Sequence, residues 1–119
     1  MKTTPEHFAV FEAAVRKWVD RFGLRDWDID VKRGRCGGDE FAICERGEQH
    51  AGDITLSTRW GKPVTDELLE RCAIHEVCHL VLADFAKAAE ARFVREGEID
   101  EQEHTVIYRL ENVLMEAGK

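Results

Sequence analysis

The sequence contains no apolar run near the ~18 residues that a membrane-crossing helix needs. It also lacks an excess of positive charge. Lys and Arg number 17 against 24 Asp and Glu, for a net charge of −7. The only basic cluster is the short "KRGR" from Lys32 to Arg35. An acidic chain has no electrostatic footprint for a phosphate backbone, so neither a nucleic acid nor a membrane is an expected partner. The opening "MKTTPEHFAVFEAAVRKW" carries charges throughout and lacks the apolar centre of a secretory leader. These absences together predict a soluble, cytoplasmic protein.

There is no CxxC pair among Cys36, Cys44, Cys72 and Cys78. Spacing as wide as that of Cys36 and Cys44 argues against a cysteine zinc site, and the expectation is reduced, mostly buried thiols. No repeat, low-complexity run or linker divides the chain, so residues 1–119 are expected to form a single domain.

Apolar residues make up 44% of the chain, with three Trp and six Phe, which suffices for one core. Thr4-Pro5 suits a helix start, and Phe8, Phe11, Val15, Trp18, Val19 and Phe22 follow at helical spacing up to a stop at Gly23. "DWDIDVK" alternates, placing Trp27, Ile29 and Val31 on one face of a strand. "EFAICE" and "DITLSTR" read as two more strands, separated by the turns "RGRCGGD" and "RGEQHAG". The segment thus reads as a mostly antiparallel meander. Thr65 caps a second helix that is apolar around much of its circumference and hence central. "DFAKAAEARFVRE" continues that helix or begins another, Gly97 breaks it, and a last helix runs through "IDEQEHTVIYRLENVLMEA". The fold class is α+β.

The central helix carries "HEVCH". His75 and His79 are four residues apart and share a face, with Cβ atoms about 5–6 Å apart, so both imidazoles can reach one ion. Glu76 lies about 100° around the helix, too far to be a ligand beside both but able to reach a water on the ion. A chance match to this pattern in a chain of this size is on the order of a few per thousand. Three polar residues among Leu and Val are also costly unless they are partnered.

A catalytic zinc usually takes three protein ligands. No further His follows His79 before residue 104, and Asp84 projects elsewhere. On the last helix, Val106, Ile107, Leu110, Val113 and Leu114 form an apolar stripe, and Glu103 extends it by helical spacing. Glu103 is therefore the expected third ligand, with Glu101 and then His104 as alternatives. Trp60 and Arg59 suit either the cleft entrance or corner packing. Tyr108 and His104 suit packing or surface positions better than an oxyanion role. Cys78 suits the core, and His7 and His50 suit solvated turns.

"HEVCH", the later "EQEHTVIYRLENVL" and the order of helix, W-x-I-x-V strand, meander, active helix and glutamate helix resemble the minimal gluzincin metallopeptidases, small single-domain zincins common among phage and prophage proteins. The resemblance covers most of the chain. It implies a zincin-like domain in which His75, His79 and Glu103 bind Zn2+ and Glu76 is the catalytic base of peptide-bond hydrolysis. The alternative it leaves is a binding or regulatory module that retains the metal with little turnover. SprT-like zincins share the "DWDIDV" style of strand. They generally use a third His and often a zinc ribbon, and this departure argues against a DNA-repair role. A peptide or protein is the implied substrate, and the strand Asp53 to Arg59 is the expected sheet edge for it.

Overall fold

The structure is a computed structural model that describes residues 1–90 and 96–117. Helix α1 spans Pro5–Arg21. It begins with a capping box: the Thr4 hydroxyl accepts from the His7 N–H, and His7 Nδ1 accepts from the Thr4 N–H. It ends at Phe22, where Gly23 takes φ +68, a left-handed conformation that glycine adopts without a Cβ penalty. Phe11, Ala14, Val15 and Trp18 are buried, and Phe8, Val19 and Phe22 pack around them, as the periodicity requires.

Strands β1 (Asp28–Gly34), β2 (Ala42–Arg46) and β3 (Ala51–Ser57) form one sheet in the order β1-β3-β2. This corrects the expected meander. β2 and β3 form an antiparallel hairpin, but β3 then runs parallel to β1, with Ile29 opposite Gly52 and Val31 opposite Ile54. The expected edge strand is thus the central one. Shielded by a strand on each side, β3 buries Gly52, Ile54, Thr55, Leu56 and Ser57, polar residues included. The free edge near the helices is β2. On β1, the Arg16 guanidinium donates to the carbonyl of Ile29 at 3.1 Å.

Helix α2 (Asp66–Val81) starts on Thr65, whose hydroxyl accepts from the Leu68 N–H. It packs against α1, β2 and α4, and buries Leu69, Ala73, Ile74, Val77, Cys78 and Leu80. Helix α3 (Ala83–Glu90) is a separate helix that begins directly after the Leu82 cap. Helix α4 (Glu96–Ala117) contains Gly97 in its first turn, where sequence reasoning placed a break. Near a helix start the backbone N–H groups have no intrahelical partners, so glycine disrupts little there. Residues 91–95, between α3 and α4, lie outside the described residues.

The four cysteines are free thiols. Trp60 is a packing residue: it is 3% exposed, stacks on Phe41 at 4.6 Å and donates its indole N–H to the Phe41 carbonyl. No helix among the described residues is long and apolar enough to cross a membrane.

Candidate metal centre

Helices α2 and α4 meet across a layer of ionisable side chains set into an otherwise apolar contact. His75 and His79 project from α2 one turn apart, with ring centroids 5.1 Å apart. His104 projects from α4 into the same space, its ring centroid 4.6 Å from that of His79 and 5.5 Å from that of His75. One ligand atom from each of the three lies within 4.8 Å of the others. A tetrahedral ion with metal–nitrogen bonds of about 2.1 Å needs about 3.4 Å between ligand atoms. The ligand atoms therefore lie no more than about 1.4 Å beyond that spacing.

The second nitrogen of each ring shows which atom is available. His75 Nδ1 is hydrogen-bonded to Oε1 of Glu111. His79 Nδ1 lies 3.2 Å from Oε2 of Glu103. His104 Nδ1 lies 2.8 Å from the carbonyl oxygen of Asp100, one turn back on α4. All three partners are acceptors, so each Nδ1 carries the proton and donates it. In the neutral ring Nε2 then keeps its lone pair, the tautomer that a metal-binding imidazole needs. Burial, reinforced by His75, His104 and Arg46 nearby, holds the pKa of His79 down to about 3, so its ring stays neutral.

The two carboxylates that orient the α2 histidines are themselves buried, Glu103 at 4% and Glu111 at 7% exposure. Charged groups rarely occupy such positions unpaired. Arg46 on β2 donates from Nη1 to Oε1 of Glu103 at 2.7 Å and to the carbonyl of His79 at 3.0 Å. Arg71 approaches the other carboxylate, with Nη1 3.8 Å from Oε2 of Glu111.

Glu76 is also buried, and among the described residues it makes no hydrogen bond or ion pair. Burial, with the Glu40 and Glu111 carboxylates nearby, pushes its carboxyl well above the ordinary value of 4.5. It lines a cavity of about 290 Å³ together with His75, His79, Glu103, His104, Asp100 and residues of β2. A second cavity of about 400 Å³ shares His75, Glu76 and His104 with the first and is also walled by Phe41, Leu68, Cys72 and Tyr108. Another cavity, about 490 Å³, lies beside Trp27, His50 and Asp84, and neither His75 nor Glu76 lines it.

The structure thus brings together His75, Glu76, His79, Glu103 and His104. Glu103 faces the core as its helical position implied, but its carboxylate lies on the Nδ1 side of His79, and the convergent ligand atoms are those of His75, His79 and His104. Glu101 is exposed and lies off the site. Tyr108 is 54% exposed, its ring centroid 5.4 Å from that of His75. Asp84 points to His50, which also pairs with Asp26. Sequence reasoning missed Glu111 and Arg46. Glu111 was within reach, because it follows Ile107 by one helical turn on the stripe that singled out Glu103. Arg46 gave no local signal, as a charge near a strand end is ordinary. Comparison of the chain with protein-family models, curated proteins and solved structures finds no match.

Proposed function

We propose that the protein is a zinc-dependent hydrolase of peptide bonds, with His75, His79 and His104 as the metal ligands and Glu76 as the general base. The observation that carries this reading is the shared arrangement of the three rings. Three imidazoles from two helices each have Nδ1 occupied by an acceptor, and a buried carboxylate, Glu76, lies in the same cavity. This changes the ligand set implied by the gluzincin resemblance, because His104 replaces Glu103 and Glu103 becomes an orienting group.

The chemistry of the donor set suits zinc, which accepts three imidazoles and keeps one position open in catalytic sites. Bound there, zinc supplies a Lewis acid and a water whose pKa is lowered towards neutrality. The residues of the chain do the rest. Glu103 and Glu111 fix the two α2 rings by accepting their Nδ1 protons, and the Asp100 carbonyl fixes the His104 ring. A carboxylate oxygen of Glu76 takes the proton of the attacking water and returns it to the leaving amine. The free edge of β2 offers backbone hydrogen bonds to an extended peptide, and Ala42, Ile43 and Cys44 of that strand line the cavity with Glu76.

Glu76→Gln separates hydrolysis from simple metal binding. Zinc content by elemental analysis should be unchanged, while cleavage of an unstructured protein substrate should fall by about 10²–10⁴-fold. Cleavage at the wild-type rate by that variant would rule out the mechanism. Full zinc uptake by a wild-type chain that never cleaves would leave the binding-module reading.

A further inference from the structure

Arg46 stands where β2, α2 and α4 meet. Its Nη1 has two protons, and the structure gives each an acceptor: the His79 carbonyl at 3.0 Å and Oε1 of Glu103 at 2.7 Å. The other oxygen of the same carboxylate faces His79 Nδ1 at 3.2 Å. Both oxygens of Glu103 are therefore engaged, with the carboxylate buried.

Glu103 and His104 are consecutive on α4, about 100° apart around the helix. Both reach His79. Either residue type is an ordinary zinc ligand, and a dication attracts a carboxylate more strongly than it attracts a neutral imidazole. Something must hold the carboxylate back for the imidazole to take the position.

We propose that Arg46 is a positioning residue that selects the third ligand: by holding Glu103 on the Nδ1 side of His79, it reserves the position for His104. The inference rests on the zinc reading above. Its chemical consequence is charge. Three imidazoles leave the full double positive charge of the ion at the site, whereas exchange of one for a carboxylate removes a unit of it. Without Arg46, Glu103 is a buried carboxylate whose strongest partner is gone, and the ion becomes the nearest replacement. The same guanidinium ties the edge strand to the end of α2, so β2 and the ligand helix are held in fixed relation.

The test is Co2+ titration of the full-length chain, followed by visible absorption, with far-UV circular dichroism on every variant. Wild type should bind one Co2+. His104→Ala should weaken binding by more than the 10–100-fold that loss of an orienting partner costs. Adding Arg46→Met to His104→Ala should recover at least tenfold of that loss, and adding Glu103→Gln to the double variant should abolish the recovery. Glu103→Gln alone is nearly isosteric; with its amide oxygen kept on His79 Nδ1, its NH2 faces Arg46, whose Nη1 retains the His79 carbonyl as an acceptor. It should keep the wild-type absorption bands and cost only about 10–100-fold in affinity. The proposal is overturned if Glu103→Gln alone destroys the Co2+ site, or if the folded Arg46→Met/His104→Ala chain binds no better than His104→Ala. A wild-type chain that takes up neither Co2+ nor Zn2+ would instead overturn the zinc reading, and this inference with it.

Discussion

Glu111 and His75, 36 residues apart in sequence, meet across the α2–α4 contact, with Oε1 of the carboxylate on Nδ1 of the ring. The contact fixes the orientation and tautomer of the first histidine of the motif from a helix that the motif does not include. Glu111→Gln keeps the shape of the side chain but offers a weaker acceptor. It should lower zinc affinity by about 10–100-fold, measured by competition with a chromogenic chelator, while the fold is retained. An unchanged affinity would make the contact structural only.

If the proposed site takes zinc in the folded chain alone, the metal stabilises the fold by mass action. At a free concentration 100 times Kd the gain is about 2.7 kcal/mol. For a domain of this size that is a shift in Tm of roughly 10 °C. Thermal melts with excess zinc and with a chelator should differ by that amount. The difference should vanish in His79→Ala, which lacks a ligand.

His50 bridges Asp84 and Asp26 and stacks on Trp27 with ring centroids 4.7 Å apart. The hydrogen bond that its ring donates to Asp84, helped by Asp26, raises its pKa above 6.5. A group whose folded pKa is raised stabilises the fold fully below its unfolded pKa. That contribution is lost as pH rises through the folded value. Stability should therefore decline from about pH 6.5 upward. His50→Asn, a residue that tolerates the local φ of 57, should flatten this decline when Tm is followed from pH 5 to 9.

Ile107 is fully buried on α4 between the two orienting glutamates. Ile107→Ala should destabilise the domain by about 2–5 kcal/mol in urea titration. Because Glu103 and Glu111 sit one turn to either side, zinc affinity should fall as well. Val113→Ala, at an exposed position of the same helix, should stay within about 0.5 kcal/mol of wild type.

The parts of this protein that depend on local chemistry were legible in the sequence. Thr4-Pro5 and Gly23 bound α1, Thr65 caps α2, and the alternation of Ile29 and Val31 marks β1, because caps and periodicities act over only a few residues. "HEVCH" on a buried helix already placed two imidazoles and a carboxylate together, since helical geometry alone brings them there. The order of the strands was not legible. An alternating strand buries the same face whether its neighbour runs parallel or antiparallel, so only the tertiary structure could place β3 between β1 and β2.

The same holds for the ligand set. Glu103 and His104 are adjacent on one helix and both line the cavity, and a rotation of about 100° decides which of them meets His79 Nδ1 and which joins the other two imidazoles. That rotation is fixed by the packing of α4 on α2 and by Arg46, which arrives from a strand 57 residues away in sequence from Glu103. The sequence determined that a pair of histidines and a glutamate would stand together. The tertiary structure decided which distant side chains complete and orient them, because hydrogen bonds between elements depend on relative placement and leave no period in the chain.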